Sequence, residues 1–169
     1  MAILPILEYP DPRLKRIARP VTEFTPEIQR RVADMAETMY AAPGIGLAAT
    51  QVDDHRRIIV IDVSPDKSDL KVFINPELIE ADGEIVGEEG CLSVPQVFDR
   101  VRRAAHIRVR AQDATGKPFE LEATELLAVC IQHEMDHLMG IVFVDHLSQL
   151  KQMRVRNRMN KRHREAQRA

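Results

Sequence analysis

The sequence predicts an α+β fold in which antiparallel strands pack around a buried helix that carries a candidate metal site. An amphipathic helix precedes the strands and a basic helix ends the chain. Three observations support this prediction: an amphipathic helical pattern at residues 25–39, short apolar runs rich in β-branched residues from residue 58 onward, and an apolar helical pattern at residues 125–138. Strands that pack on segregated helices are typical of the α+β class.

The first helix is predicted over residues 25–39. Thr25 supplies an N-cap and Pro26 a first-turn proline. The apolar residues of this segment recur at helical spacing, at Ile28, Val32, Met35 and Met39. Pro43 and Gly44 are expected to end the helix.

Five short strands are predicted, at residues 58–63, 71–74, 84–86, 106–111 and 118–122. The second of them is expected to end at Asn75-Pro76, and residues 113–116 supply a turn between the last two. Residues 87–95 contain two glycines and a proline, which break regular structure, so this segment is predicted to be a loop.

The second helix contains the sequence QHEMDH at residues 132–137. Residues four apart lie on one face of a helix, roughly 5–6 Å apart at Cβ, so His133 and His137 can both offer a ring nitrogen to one cation. Glu134 projects beside the metal, which suits a general base that acts on a water at the metal. The alternative is two helical histidines that pack or face solvent.

Two histidines leave a metal site incomplete, and the chain has two cysteines, Cys91 and Cys130. Cys130 lies one turn before His133 in an apolar stretch, where a thiol is usually a small hydrophobic residue. Cys91 lies in the predicted loop, and its thiolate could complete a Cys/His/His set with one position open for water. The alternative for Cys91 is an ordinary loop thiol.

Three segments together resemble the peptide deformylases: GIGLAATQ at residues 44–51, EGCLS at 89–93 and QHEMDH at 132–137, in that order. Residues 6–14 also resemble the opening segment of that family, so the resemblance extends through about residue 147. It implies a hydrolase that removes the N-formyl group from the initiator methionine of a nascent polypeptide and releases formate. Glu134 would then act as general base and acid.

The resemblance also implies roles for residues around the metal. The Gln51 side-chain amide and the Leu92 backbone N–H would donate hydrogen bonds to the oxyanion. The predicted substrate-binding residues are Gly46, Ile45, Cys130 and Ile131. For the last three, plain core packing is the competing interpretation. The family varies at residues 97–100, where Phe98 is the candidate to shape substrate access.

Two imidazoles and one thiolate suit zinc, iron, nickel or cobalt. The resemblance favours Fe²⁺ in the working enzyme, with Zn²⁺, Ni²⁺ or Co²⁺ as alternatives in a purified preparation. Asp136 does not face the metal and is predicted to form an ion pair with Arg103 that anchors the helix, the alternative being a solvated carboxylate.

Two other functions are compatible with part of this pattern. A structural metal domain would need a fourth protein ligand, and none is obvious beside Cys91, His133 and His137. A zinc endopeptidase shares His-Glu-x-x-His but often takes a downstream third ligand, whereas Cys91 lies upstream. Peptide substrates would separate the last of these from a deformylase.

Length and composition predict one catalytic domain over residues 1–150, with a basic helical tail over residues 151–169. The net charge is −2, and no apolar run has membrane-spanning length. No secretory signal is evident, and a ligand thiolate must stay reduced, so we expect a cytoplasmic protein with no membrane partner and no disulfide.

The tail has eight Lys or Arg residues against one acid, Glu165, a local charge of +7 that leaves −9 for the rest of the chain. Leu147, Leu150 and Met153 fall at helical spacing and are predicted to dock on the body. Beyond them the charges surround the helix, which should project into solvent. The tail is predicted to contact ribosomal RNA, with a merely solubilising role as the alternative.

Overall fold

The computed structural model describes residues 2–168. Within that range lie three α-helices: α1 (Pro26–Ala41), α2 (Glu125–Leu138) and α3 (Gln149–Arg168). The strands are β1 (Gly46–Ala48), β2 (Ile58–Ile61), β3 (Lys71–Asp82), β4 (Ile85–Cys91), β5 (Val94–Arg103), β6 (His106–Gln112) and β7 (Pro118–Thr124). Short 3-10 helices occupy Pro12–Lys15, Ala49–Val52 and Phe143–His146. The predicted combination of helices and strands is therefore confirmed.

The strands form two antiparallel sheets. One has five strands in the order β1-β2-β3-β6-β7, and the other is the hairpin β4-β5. Every pairing is antiparallel, as the sequence predicts. Helix α2 follows directly after β7, so the edge of the large sheet leads into the helix that carries the two histidines.

Strand β2 contributes side chains to two hydrophobic clusters, one on each face of the large sheet. All four of its side chains are buried. Ile59 and Ile61 belong to the cluster that contains the apolar residues of α2, whereas Ile58 and Val60 belong to the cluster of α1. Alternate side chains of a strand point to opposite faces, so this apolar run packs α1 on one face and α2 on the other.

Two predictions about strands are wrong. Strand β3 does not end at Asn75-Pro76 but continues to Asp82. A β-bulge between Ile74 and Glu77, with Asn75 at φ 53°, accommodates the proline and lets the pairing with β6 resume. The Asn75 side chain also accepts a hydrogen bond from the Val21 N–H at 2.8 Å. Residues 87–95 are not a loop: they form most of β4, a turn at Leu92 and Ser93, and the start of β5, which the sequence did not predict.

Gly90 of this hairpin has a packing role rather than a loop role. A Cβ on Gly90 would lie 2.5 Å from the Phe98 ring, so glycine lets the ring of the opposite strand cover the backbone.

Helix α3 docks on the body by a different face from the one predicted. Leu150 and Met153 are 57% and 60% exposed, whereas Val155 and Met159 are 8% and 1% exposed. Leu147, the third predicted docking residue, does pack partly buried in the same cluster as Val155 and Met159. Val155 and Met159 therefore contact the body where the prediction expected solvent, because two apolar residues four apart suffice to bury one side of the helix. Residues 160–168 are exposed apart from half-buried His163, as predicted for the later part of the tail.

None of the helices within residues 2–168 is long and apolar enough to cross a bilayer.

Candidate active site

Cys91, His133 and His137 converge at one point. Cys91 ends β4, and the two histidines lie one turn apart on α2 with ring centroids 5.1 Å apart. One ligand atom from each residue lies within 4.8 Å of the others, and Cys91 Sγ is 3.4 Å from His137 Nε2. The structure thus brings together the three residues that the sequence nominated as metal ligands.

The His133 ring nitrogen that faces away from Cys91 and His137 contacts a buried carboxylate. His133 Nδ1 lies 2.9 Å from Glu89 Oε1, which leaves Nε2 to face the cluster. Burial alone would raise the pKa of Glu89, but hydrogen bonds from Arg103 and His133 lower it to about 2. A carboxylate that accepts from the far nitrogen of a ligand histidine fixes the ring's orientation and tautomer.

Arg103 links that carboxylate to the back of α2. It donates from Nε and Nη2 to the two oxygens of Glu89, both at 2.9 Å, and from Nη1 to Asp136 at 2.6 Å. The predicted ion pair between Arg103 and Asp136 is confirmed, and His146 Nε2 lies 2.8 Å from the same Asp136 oxygen.

Glu89 was not predicted as a site residue. The available signal was its spacing: it precedes Cys91 by two positions, and residues two apart in a strand share a face. A loop at residues 87–95, as the sequence predicts, has no such alternation and therefore does not single out Glu89.

Glu134 is buried beside the cluster, with Oε2 4.0 Å from His133 Nε2. Burial raises its pKa to about 7, against the opposing effect of His133 and with a smaller contribution from Glu89. Its other oxygen, Oε1, has no hydrogen-bond partner among the described residues. A buried carboxylate oxygen without a donor suits a group that receives a proton from a molecule bound in the site.

Gln51 presents its amide donor edge to the cluster. Its Oε1 accepts from the Ala48 N–H at 2.9 Å, which orients the amide. Its Nε2 donates to Ser93 Oγ at 3.0 Å and lies 3.5 Å from Cys91 Sγ. Gln51 is buried in the 3-10 helix Ala49–Val52, so its amide is preorganised.

Cys91, His133 and Glu134 line a cleft of about 780 Å³, within the size range of ligand sites, and His137 lies buried behind them. Five predicted substrate or oxyanion residues line the cleft: Ile45, Gly46, Gln51, Leu92 and Cys130. Phe98 also lines it and is exposed. Ile131 does not line the cleft, because it is fully buried in the core cluster of α2. Leu126 and Val129, two turns and one turn before His133 respectively, also line the cleft and are not among the predicted residues.

The donor set fits a divalent metal ion. One thiolate and two imidazoles are ligands for zinc and its neighbours in the first transition row. Within residues 2–168 the cluster consists of these three side chains, so it has the composition of a site with an open position rather than a closed four-ligand site. Both cysteines are free.

Comparison with known proteins indicates the same family that the three sequence motifs resemble. The profile of the polypeptide deformylase family matches residues 3–153. The chain is 59% identical over 162 residues to the peptide deformylase of Chromobacterium violaceum, covering 96% of this chain and 97% of that protein. It is 62% identical over 162 residues to peptide deformylase 1 of Burkholderia multivorans, covering 95% and 90%.

Solved structures agree with the sequence relatives. A crystal structure of a peptide deformylase from Legionella pneumophila superimposes with a TM-score of 0.94 at 47% identity, covering 99% of both chains. The peptide deformylase of Ehrlichia chaffeensis in complex with actinonin gives a TM-score of 0.92 at 37% identity, covering 97% of this chain and 99% of that one. The chain therefore belongs to the polypeptide deformylase family, metal-dependent hydrolases that remove the N-formyl group from nascent peptides.

Proposed function

We propose that the chain hydrolyses the N-formyl group of formyl-methionyl peptides at a metal ion held by Cys91, His133 and His137. The observation that carries the proposal is the convergence of these three donors beside the buried carboxylate of Glu134, within a cleft wide enough for a peptide end. A divalent cation bound there supplies Lewis-acid activation of a water and of the formyl carbonyl.

Glu134 carries the proton in this proposal. It accepts a proton from the water that attacks the formyl carbon and passes it to the departing amine as the C–N bond breaks. The products are formate and a free N-terminus. A pKa raised by burial to about 7 suits a group that must both accept and return a proton near neutral pH.

Gln51 and Leu92 stabilise the oxygen of the formyl group as negative charge develops on it. The Gln51 amide is the better supported of the two, since its Nε2 already points at the cluster. The Leu92 backbone N–H lies in the turn between β4 and β5, next to Cys91, and Leu92 lines the cleft. Donors fixed before the reaction begins cost no reorganisation during it.

The methionine side chain would occupy the apolar part of the cleft. Ile45 and Cys130 line it, and Gly46 lets the backbone approach the ligand. Leu126 and Val129 add to the same wall, whereas Ile131 packs in the core and does not contribute.

Assays with matched peptides test the proposal. A formyl-Met peptide should release formate, while the same peptide acetylated at its N-terminus and a peptide with an accessible internal bond should remain intact. Cleavage of the internal bond with no formate release would instead favour the endopeptidase interpretation.

Fe²⁺ is the metal we propose for the working enzyme, with Zn²⁺, Ni²⁺ and Co²⁺ able to occupy the same donors. Elemental analysis of anaerobically purified protein, with activity expressed per metal ion, tests this. A thiolate ligand must stay reduced, which supports the cytoplasm as the compartment.

We also propose that α3 contacts ribosomal RNA. Arg154, Lys161 and Arg164 are exposed, and helical periodicity puts them on the side opposite Val155 and Met159. A row of cations on an otherwise acidic chain favours a phosphate backbone as partner.

Substituting these three residues tests the contact without disturbing the docked face. Replacing Arg154, Lys161 and Arg164 with Gln should preserve turnover of a short formyl-Met peptide and weaken salt-sensitive ribosome binding. The same change at Arg30, Lys67 and Lys117, three exposed cations elsewhere, is the control. Equal ribosome binding by both variants at low salt would reject the contact.

A further inference from the structure

The N-terminal segment contacts both segments that carry the site. The Leu7 N–H donates to the Gln51 backbone carbonyl at 2.7 Å, and the Tyr9 N–H donates to the Ser93 backbone carbonyl at 2.8 Å. Ser93 follows Leu92 and accepts at its Oγ from the Gln51 side chain at 3.0 Å. Gln51 and Ser93 are therefore joined twice, once through their side chains and once through residues 7–9.

The residue between these two donors contacts α3 instead. Glu8 accepts from Arg162 Nε at 3.0 Å and from Arg162 Nη2 at 3.2 Å, one bond at each carboxylate oxygen. His163 Nε2 lies 3.0 Å from one of those oxygens. Burial would raise the pKa of Glu8, but the hydrogen bonds with Arg162 and His163 lower it. The ion pair thus connects Glu8 to helix α3.

Packing reinforces this connection one residue further on. Tyr9 is buried in the cluster that contains Val155 and Met159 of α3. The guanidinium of Arg156 lies 5.9 Å from the centroid of the Tyr9 ring, within range of a cation–π contact. Helix α3 therefore holds Glu8 by charge and Tyr9 by packing. Tyr9 is one of the two donors to the site segments, and Glu8 lies between Tyr9 and the other donor, Leu7.

We propose that Glu8 is a positioning residue for the reaction. Its ion pair with Arg162 holds residues 7–9 against the backbone of Gln51 and Ser93, and so sets where the Gln51 amide lies relative to the reacting carbonyl. The inference rests on the proposed oxyanion role of Gln51. Glu8 and Arg162 line the outer part of the same cleft. Displacing a catalytic donor lowers the rate, so their ion pair can act on the reaction through the position of Gln51.

Breaking the pair in the full-length, metal-loaded enzyme tests the inference. Arg162→Ala and Glu8→Gln should each lower kcat for a short formyl-Met peptide by about two- to fivefold, a size expected for a partly exposed ion pair. KM and metal content should change little. Lys151→Ala is the matched control, because Lys151 also joins α3 to the body through an ion pair, at 3.1 Å to Asp99, but does not touch residues 7–9.

A double-mutant cycle separates positioning from a general structural effect. If Glu8 acts through Gln51, then Arg162→Ala should lower kcat in the wild-type background and have no further effect in a Gln51→Ala background. Equal losses in both backgrounds, or an equal loss in Lys151→Ala, would overturn the inference and leave the deformylase proposal intact. Full kcat in Gln51→Ala alone would overturn the role of Gln51 and this inference with it.

Discussion

Gly46 and Glu134 lie so close that residue 46 has no room for a side chain. A Cβ at this position would come within 2.5 Å of Glu134 Oε2 and within 2.9 Å of Cys130 Sγ. The glycine of β1 therefore defines one wall of the space that the proposed catalytic carboxylate occupies. Since Oε2 is the end of a flexible side chain, an added methyl group would displace the carboxylate rather than the backbone.

We expect Gly46→Ala to lower kcat by about 10- to 100-fold, because a displacement of about 1 Å can have that effect on a catalytic group. Metal content and the cooperativity of unfolding should be retained. Gly87→Ala is the control, since a Cβ there would meet nothing within 4 Å. Equal kcat values for the two variants would contradict the assigned position of the base.

Replacing Glu134 itself tests its chemical role. Glu134→Ala should lose about 10²- to 10⁴-fold in turnover, the usual contribution of general acid–base catalysis, while it keeps metal near the normal level. Formate release and elemental analysis on the same preparation measure both quantities. Turnover comparable to wild type would rule out the proposed role.

The two cysteines should differ in their effect on metal binding. Cys91→Ala is expected to lose both metal and activity, because it removes one of three ligands. Cys130→Ala should retain metal, since burial raises the pKa of the Cys130 thiol well above its ordinary value, helped by nearby Glu134 and Glu89, and keeps it neutral. Metal content per chain after anaerobic purification decides the question. If both variants kept metal equally, the ligand assignment would be wrong.

Arg103 should matter more than Asp136 for both stability and metal affinity. Arg103→Ala would leave the buried Glu89 carboxylate without its cationic partner, which typically costs about 3–5 kcal/mol. It would also loosen the carboxylate that orients the ring of His133. We expect metal affinity about 10- to 100-fold weaker. Asp136→Asn should weaken metal binding less, because Asp136 is more exposed than Glu89.

Urea unfolding and metal titration measure these effects, and the Arg103→Ala, Asp136→Asn double variant is the control for coupling. It should be no worse than Arg103→Ala alone, since both changes break the same contact. Unchanged metal affinity in both single variants would show that the pair does not support the site.

Asp62 should make stability depend on pH. It is buried, and burial would raise its pKa, but hydrogen bonds from Ser64 at 2.5 Å, from Tyr40 at 2.6 Å and from backbone N–H groups lower it to about 2. The folded pKa lies below the ordinary value of 3.8, so this stabilisation is present above that value and is lost as pH falls towards 2.

Asp62→Asn should lower the free energy of unfolding by about 1–3 kcal/mol near neutral pH, because one acceptor oxygen becomes an NH₂ group and the donors bonded to it lose their acceptor. The difference from wild type should shrink as the pH falls through the interval between the two pKa values. Urea unfolding at a series of pH values measures it. A difference that stays constant over that interval would reject the assignment.

Local sequence determined the elements whose stability depends on near neighbours. Helices α1 and α2 lie close to their predicted bounds, because apolar residues at helical spacing, and in α1 also a first-turn proline, act within a few residues. The spacing of His133 and His137 likewise puts the two proposed ligands on one face of α2 through local helix geometry alone.

Tertiary structure alone decided the contacts between distant segments. Glu89 forms an ion pair with Arg103 because strands β4 and β5 pair as a hairpin. The glycines and the proline of this segment favour a loop, so the sequence did not predict the hairpin. The face of α3 that docks likewise depends on the surface against which it packs. Val155 and Met159 pack in the hydrophobic cluster that contains Tyr9, whereas Leu150 and Met153 are exposed to solvent. Periodicity shows which faces a helix has, but which face is buried depends on the complementary surface that the rest of the chain provides.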